Sequence, residues 1–211
     1  MKASDSEIEQ YASAHCNYYL TALLEELERK THLEVMYPQM LSGKIQGQLL
    51  SFLSSMKAPK RILEIGTYTG YSAICLAQGL AKGGQLHTIE VNAETLEVAQ
   101  YFFRKAGLDQ IITQHHGQAY ELLDQLEGPW DLVFLDADKV NYAAYYDKVF
   151  DLVPSGGLIL ADNVLWKGMV LHPKEKRAKA LADFNSKIQQ DKRVKNILLP
   201  LRDGLMIIEK R

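Results

Sequence analysis

Apolar residues recur at helical spacing in the first part of the chain. Between residues 6 and 30 they are Ile8, Tyr11, Ala12, Cys16, Leu20, Leu23, Leu24 and Leu27. Ser6 and Glu9 stand at the two positions of a capping box, so the pattern predicts one amphipathic helix over 6–30. A second helical pattern covers about 43–56 and ends before Pro59, because a proline disfavours helical backbone at the residue that precedes it.

From residue 61 to residue 161, short β-like apolar runs alternate with helical stretches. The runs are 62–65, 86–89, 111–115, 132–135 and 158–161, and the helical stretches between them are 71–80, 94–105, 119–126 and 142–152. Such alternation predicts βαβ units, whose right-handed crossovers build a parallel sheet with helices on both faces. The predicted fold class is therefore α/β.

The C-terminal part has a different pattern. A charged helical stretch at about 174–190 is followed by two apolar runs, 194–199 and 205–209, with Arg202-Asp203-Gly204 between them. Asp-Gly between two apolar runs is a strong hairpin signal. We therefore expect a mostly parallel seven-stranded sheet that finishes with one antiparallel strand. The N-terminal helices (1–58) and the core (59–211) are expected to form one domain.

Composition is typical of an ordinary folded protein. The 211 residues are 47% hydrophobic and 24% charged, a composition that excludes intrinsic disorder. The net charge of −2 does not indicate a basic surface over the whole protein that would bind nucleic acid. No apolar run approaches the roughly 18 residues of a membrane span, and the N-terminus is polar, so we expect a cytoplasmic protein without a membrane partner. Cys16 and Cys75 are expected to be buried, reduced thiols within helices.

The turn after the first predicted strand contains glycine at Gly66 and Gly70, as nucleotide-binding turns do. Tyr68 stands where a dinucleotide fingerprint has the glycine that lets a pyrophosphate approach, which disfavours NAD and FAD. S-adenosylmethionine has no phosphate and can use such a turn. Glu90 follows about 20 residues later, where an acid can accept hydrogen bonds from both ribose hydroxyls. The alternative is that Glu64 and Glu90 are exposed strand ends.

Acidic residues follow two further strands. Asp136 comes directly after 132–135, and Asp162-Asn163 come directly after 158–161. These strands are neighbours in a doubly wound sheet, so their three oxygen-bearing side chains would converge at one edge. Oxygen ligands suit a hard cation such as Mg²⁺. Helix caps or solvated loop ends are the alternative, and His115 and His116 are interpreted as structural.

Three segments resemble the cation-dependent O-methyltransferases, the family of catechol O-methyltransferase and the plant caffeoyl-CoA O-methyltransferases. They are Ile62–Ser72, Phe134-Leu-Asp-Ala-Asp-Lys-Val-Asn-Tyr142 and Ala161-Asp-Asn-Val-Leu-Trp166. The likeness runs from about residue 41 to the C-terminus. It implies the Rossmann-like class I fold of S-adenosylmethionine-dependent methyltransferases, S-adenosylmethionine as cofactor, and a homodimer.

The resemblance also implies roles for individual residues. Asp136, Asp162 and Asn163 would hold the cation, which is Mg²⁺ or otherwise Mn²⁺ or Ca²⁺, and Lys139 beside Asp136 would be the catalytic base. The implied cofactor residues are Ser42, Glu64, Gly66, Thr67, Tyr71 and Ser72 toward the methionine moiety, Glu90 on the ribose, Gly117 and Ala119 beside the adenine, and Asp136 and Asp138 nearby. Lys167 stands where the plant enzymes have an asparagine near the substrate, so caffeoyl-CoA specificity does not follow. Trp166 is either an apolar wall for an aromatic ring or packing for its loop.

The predicted function is methylation of one of two adjacent hydroxyls on a catechol-like small molecule. Two alternatives stay open. The first is methylation of hydroxyuridine in tRNA, because residues 174–195 carry eight Lys and Arg against three Asp and Glu, although a solvated helix also has this composition. The second is binding of S-adenosylmethionine without catalysis. The presence of Lys139 and of the three metal residues argues against it, because a protein that only binds the cofactor needs neither a base nor a cation site.

Overall fold

The computed structural model describes residues 5–17 and 20–211. Helices α1 (Asp5–Ala14), α2 (Thr21–Glu34) and α3 (Lys44–Lys57) precede the sheet. The prediction of one helix over 6–30 is wrong, because α1 ends at Ala14 and α2 begins only at Thr21. Leu20, directly before α2, has a φ of 56°, which a right-handed helix cannot contain. The side chains of the predicted capping box, Ser6 and Glu9, lie outside the described residues.

The two cysteines are free thiols. Cys75 is buried within a helix, as predicted. Cys16 differs from the prediction, because it follows the end of α1 and is only half-buried, with its Sγ donating to the Ala12 carbonyl at 3.1 Å.

The rest of the chain alternates strands and helices. The strands are β1 (Arg61–Ile65), β2 (Gln85–Glu90), β3 (Ile112–His116), β4 (Leu132–Leu135), β5 (Leu158–Asp162), β6 (Val194–Leu199) and β7 (Leu205–Lys210). The helices are α4 (Tyr71–Ala77), α5 (Ala93–Lys105), α6 (Ala119–Leu122), α7 (Tyr142–Phe150) and α8 (Lys176–Gln190), and 3₁₀ turns cover Pro38–Met40, Lys139–Asn141 and Trp166–Leu171. The helix predicted over 119–126 is shorter than expected.

All seven strands form one sheet in the order β3-β2-β1-β4-β5-β7-β6. Strands β1 to β5 pair in parallel, and β7 is antiparallel to both β5 and β6. This arrangement confirms the predicted α/β class, the seven strands and the single antiparallel strand. The strand order reverses at β1, which lies between β2 and β4, so ligands are expected beyond the carboxyl ends of these strands.

Apolar side chains cover both faces of the sheet. One core contains Trp130, Tyr146 and Phe184. The core on the other face combines Phe134 with residues of the N-terminal helices, including Leu27. The N-terminal helices therefore complete one of the two cores and stand beside the edge where the strands end. Within the described part of the chain, no helix has both the length and the apolar character needed to cross a membrane.

Candidate active site

Two neighbouring strands bring two acidic side chains together at the carboxyl edge. Leu135 of β4 pairs with Ala161 of β5, and the residue after each is Asp136 and Asp162. The Asp162 residue is 3% exposed, and the Asp136 side chain is 18% exposed. Asn163 follows with a φ of 56°, and the left-handed backbone turns the chain sharply away from the strand. The predicted convergence of these strand ends is confirmed.

The two carboxyl groups, one buried and one partly buried, interact unfavourably. Burial raises the pKa of Asp162 to about 6, and the nearby Asp136 charge adds to the rise. Burial also raises the pKa of Asp136, and the positive charge of Lys139 offsets part of that effect. An added cation at this edge would therefore relieve an existing repulsion, and the carboxylate and amide oxygens fit a hard divalent ion.

Few side chains at the ends of β4 and β5 could coordinate a cation. Nowhere in residues 5–17 and 20–211 do three or more His, Cys, Asp or Glu side chains lie close enough together to hold a metal ion. A cation here would be held by two carboxylates and the Asn163 amide, with water completing the shell. Mg²⁺ tolerates this arrangement because it dehydrates reluctantly and keeps several waters in protein sites.

Lys139 lies beside these acids, almost fully buried at 8% exposure. Its Nζ donates to Asp136 Oδ1 at 2.6 Å and to the Tyr142 hydroxyl at 2.8 Å. That hydroxyl lies 3.1 Å from the Leu135 carbonyl oxygen and 3.0 Å from the Asp162 carbonyl oxygen. Burial and the surrounding acids hold the pKa of Tyr142 well above its usual value, so the phenol stays neutral. The geometry fixes the amine at the carboxyl edge.

Two residues of this cluster were not predicted from the sequence. Tyr142 follows Lys139 by three positions, so helical spacing could have indicated it. Gln46 comes from α3, and its Nε2 donates to Asp162 Oδ2 at 2.6 Å. No local pattern could have indicated Gln46, because the two residues are 116 positions apart.

The glycine turn after β1 touches the loop that carries Asp136. Gly66 has a φ of 106°, and a Cβ added there would lie 2.2 Å from the Asp136 carbonyl oxygen. Only glycine allows both this backbone conformation and this approach. The turn expected to face the cofactor is therefore in van der Waals contact with the acidic edge.

Glu90 organises the same turn from β2. One carboxylate oxygen accepts from Tyr68 N at 2.7 Å, and the other accepts from Val91 N and Asn92 N, each at 2.9 Å. Glu90 is half-buried rather than an exposed strand end. Its backbone carbonyl accepts from Gly117 N at 3.0 Å, which brings the end of β3 to the same edge.

Glu64 lies beneath the turn and is fully buried. It accepts hydrogen bonds from the Ser72 and Thr88 hydroxyls, both at 2.6 Å, and Thr88 also lies 2.5 Å from the Thr67 hydroxyl. Burial raises the pKa of Glu64 to about 8. The alternative that Glu64 is an exposed strand end is therefore wrong.

The remaining predicted cofactor residues differ in their burial and in their hydrogen bonds. Tyr71 and Ser42 are buried, and Ala119 begins α6. Asp138 is exposed, and its two carboxylate oxygens accept from the Tyr145 hydroxyl at 2.5 Å and from the Asn141 amide at 2.6 Å. These hydrogen bonds hold the start of α7, so Asp138 already has a structural partner at each oxygen.

The loop after β5 is held by the tip of the β6–β7 hairpin. Leu165 N donates to the Asp203 carbonyl at 2.8 Å, and Lys167 N donates to the Asp203 carboxylate. Trp166 is half-buried against the core, and the Arg177 guanidinium lies 5.9 Å from its ring centroid. Arg202 Nη1 donates to the Leu41 carbonyl at 2.8 Å, so the same hairpin tip also holds the chain before α3.

Part of the basic stretch at 174–195 is neutralised by acids. Lys187, Arg193 and Lys195 form ion pairs with Asp147, Asp191 and Glu209. Lys174, Lys176, Arg177 and Lys179 form no ion pair with any residue that the structure describes. The unpaired positive charge therefore concentrates around the start of α8.

Known proteins are similar to this chain in sequence and in fold. A sequence profile of the O-methyltransferase family matches residues 13–211. The chain is 36% identical over 185 residues to a caffeoyl-CoA O-methyltransferase of Eucalyptus globulus, covering 81% of this chain and 75% of that protein. The alignment includes most of the sheet and both acidic strand ends.

Solved structures give the same picture. An O-methyltransferase from Bacillus cereus in complex with SAH (S-adenosylhomocysteine, the demethylated form of S-adenosylmethionine, SAM) superposes with a TM-score of 0.91 at 29% identity, covering 97% of each chain. The O-methyltransferase TomG from Streptomyces achromogenes, in complex with SAM, superposes with a TM-score of 0.88 at 28% identity, covering 97% of this chain and 96% of that chain. The similarity extends over nearly the whole fold, including the N-terminal helices.

Proposed function

The chain belongs to the O-methyltransferase family, and we propose that it transfers a methyl group from S-adenosylmethionine to one of two adjacent hydroxyls of a catechol-like small molecule, with a divalent cation. The observation that carries this proposal is the cluster at the ends of β4 and β5. The buried Asp162 and the partly buried Asp136 repel each other and lie with a buried lysine, directly against the glycine turn. A protein that only bound the cofactor would need neither the acids nor the lysine.

Asp136, Asp162 and Asn163 are the residues that would hold the cation. When bound, it supplies a positive charge that lowers the pKa of a coordinated hydroxyl. Mg²⁺ suits the oxygen donors, and Mn²⁺ or Ca²⁺ could take the same place. Asp162 is buried and Asp136 is partly buried, so their attraction for an ion is screened less than it would be in open water.

Lys139 is the proposed base. Its Nζ is held by Asp136 and Tyr142 at the edge where the acceptor hydroxyl would stand. A bound cation would favour release of the ammonium proton to solvent, and the neutral amine could then receive the hydroxyl proton as the methyl group moves. Tyr142 and Asp136 fix the amine, so it does not need to be ordered during the reaction. Much of the rate enhancement would come from this positioning.

The glycine turn and its neighbours would bind the methyl donor, a sulfonium compound that supplies an electrophilic methyl group. Glu90 would accept hydrogen bonds from the ribose hydroxyls while it continues to hold Tyr68 N. Glu64, Ser72 and Thr67 form the buried polar floor near the methionine end. The bound SAH and SAM of the similar structures support S-adenosylmethionine as the methyl donor.

A second candidate function is methylation of hydroxyuridine in tRNA. The observation that favours it is the group of unpaired cations at the start of α8, next to the loop that carries Trp166. Such a group could contact phosphates. The ion pairs of Lys187, Arg193 and Lys195 weaken this alternative, because they remove three of the eight basic residues from the patch.

A homodimer is the proposed assembly. Phe52 and Met56 lie one turn apart on α3 and are 57% and 74% exposed, which gives an apolar surface that a second copy could cover. Light scattering of the purified protein tests this proposal, with twice the 23.9 kDa chain mass as the expected result. A mass of one chain would contradict it.

One assay separates these functions. The protein is incubated with methyl-labelled S-adenosylmethionine and Mg²⁺, with vicinal diphenols, the matching monophenols, or tRNA that carries hydroxyuridine. We expect label in the diphenols only, and its loss in EDTA with recovery on added Mg²⁺. Label in tRNA would support the alternative, and diphenol labelling that persists in EDTA would contradict the cation requirement.

A further inference from the structure

Gln46 reaches the carboxyl edge from an element that the sequence motifs do not include. It lies in the first turn of α3, is 1% exposed, and donates its Nε2 proton to Asp162 Oδ2 at 2.6 Å. The other carboxylate oxygen, Oδ1, accepts from Asn163 N at 2.7 Å. Both oxygens of Asp162 are therefore held by amide N–H groups, one from its own strand end and one from a distant helix.

The close approach of α3 depends on the next residue. Gly47 faces Tyr71 and Cys75 of α4, and a Cβ added to it would lie 2.6 Å from Tyr71 Cε1 and 2.9 Å from Cys75 Sγ. The absence of a side chain at this position lets α3 lie against α4. At this depth the Gln46 side chain can reach Asp162, whereas a more distant helix would leave the carboxylate with one donor.

The two hydrogen bonds define the orientation of the Asp162 carboxylate. An oxygen of a carboxylate has two lone pairs, so each oxygen of Asp162 can accept one N–H and still face another partner. A carboxylate fixed in this way does not have to be ordered when an ion binds. Partners of metal ligands typically contribute about 10- to 100-fold to metal affinity for this reason.

We propose that Gln46 is a positioning residue, which fixes the Asp162 carboxylate for cation binding and so makes the N-terminal helices part of the cation site. The inference rests on the proposed function, because it requires a cation at Asp162. A residue that only filled the space between α3 and β5 would need no donor directed at the carboxylate. Gln46 touches neither the acceptor nor the methyl donor in this proposal.

The test compares two identical substitutions on one helix. Gln46→Met keeps the length of the side chain and removes the N–H donor. Gln48→Met makes the same change two residues further along α3, at a half-buried position that lines a small cavity with Ser51 and Gln78. Mn²⁺ binding is measured by electron paramagnetic resonance of the free ion, SAH binding by calorimetry, and folding by circular dichroism.

We expect Gln46→Met to bind Mn²⁺ about 10- to 100-fold more weakly than wild type. Its affinity for SAH should be unchanged, and saturating cation should restore most of its turnover, which a folding defect would not allow. Gln48→Met should match wild type in all three measurements. If Gln46→Met does not fold, Gln46→Asn takes its place, because its amide is one methylene too short to reach Asp162, and the same loss of Mn²⁺ affinity is expected.

The outcomes separate this inference from the proposed function. If wild type binds Mn²⁺, Asp162→Ala abolishes the binding and the Gln46 variant binds like wild type, the role of Gln46 is refuted and the cation site stands. If wild type itself binds no Mn²⁺, or Asp162→Ala leaves the binding intact, the cation part of the proposed function fails and the inference fails with it.

Discussion

Three ionisable groups, two buried and one partly buried, share the carboxyl edge of the sheet, and their charges do not cancel. Asp136 and Asp162 carry two negative charges when ionised, and Lys139 carries one positive charge. Burying an uncompensated charge is costly. Because the cluster has one negative charge in excess, a cation stabilises it, and this imbalance is the physical basis of the proposed activity.

The first prediction concerns Lys139. Replacing it with Met removes the proposed base and leaves Asp136 without its ion-pair partner, so turnover should fall about 100- to 10,000-fold. Mn²⁺ affinity should be retained or increased, because a competing positive charge is lost. Steady-state kinetics and Mn²⁺ titration measure the two effects. Lys187→Met, at an exposed lysine paired with Asp147, is the control, and wild-type turnover in Lys139→Met would refute the role.

The two acids and Lys139 can be located from the sequence, but the long-range partner of Asp162 cannot. Asp136 and Asp162 could be predicted because strands end where the apolar run ends, and parallel neighbours end at one edge. The long-range hydrogen bond from Gln46 could not be predicted, because it depends on how deeply α3 packs against α4. Glu90 was expected at the ribose, and the structure adds that it holds the backbone of the turn itself.

The predicted structural character of His115 and His116 is supported by their hydrogen bonds. His115 Nε2 lies 3.0 Å from His87 Nδ1, and His116 Nε2 lies 3.1 Å from the Val91 carbonyl oxygen. Burial lowers the pKa of His87 to about 4, with further contributions from His115 and Arg61. Burial lowers the pKa of His115 as well. The pair is therefore neutral in the folded protein near pH 7.

The second prediction is acid sensitivity caused by His87. The unfolded chain takes up its proton near pH 6.5 and the folded chain only near pH 4, so this contribution to stability is complete above pH 6.5 and is lost as the pH falls toward 4. The free energy of unfolding, from urea titrations at pH 7 and pH 5, should fall less in His87→Gln than in wild type. His172→Gln, at an exposed histidine, should behave as wild type, and equal losses in all three proteins would refute the prediction.

Among the elements, helix continuity was the least predictable property. The apolar spacing from Ile8 to Leu27 continues across the break between α1 and α2, because hydrophobic periodicity reports which face is buried and not whether the backbone is continuous. The hairpin was predictable from Asp203-Gly204. That its tip would also hold the loop after β5 depended on tertiary packing.

The third prediction concerns the glycine turn. Gly66→Ala adds both a strained φ and a clash with the Asp136 carbonyl oxygen, so it should destabilise the protein by roughly 2–4 kcal/mol and weaken SAH binding. Gly83→Ala is the matched control, with a φ of 77° and no atom within 4 Å of the added Cβ. Urea denaturation and calorimetry with SAH give the two quantities. An equal effect of both variants would show that the contact with Asp136 is unimportant.

For the whole molecule, the alternation of strands and helices was sufficient to predict the α/β class, and the Asp-Gly signal predicted that the sheet finishes with an antiparallel strand. Right-handed crossovers then leave few possible arrangements of the sheet. The prediction of one domain remains a prediction, and the core that α2 and α3 share with the sheet supports it. Which catechol-like compound is the methyl acceptor could not be predicted, because the loop at Trp166–Leu171 that would contact it is irregular and its conformation depends on the hairpin tip.

The most direct test of the central claim is a crystal structure of the protein grown with Mn²⁺ and SAH, with anomalous diffraction used to locate the metal. We expect one Mn²⁺ peak at bonding distance from oxygen atoms of Asp136, Asp162 and Asn163, adjacent to SAH in the glycine turn. Asp162→Ala crystals grown in the same way should lack the peak and retain SAH. A wild-type structure with SAH bound and no metal between these side chains would contradict the account.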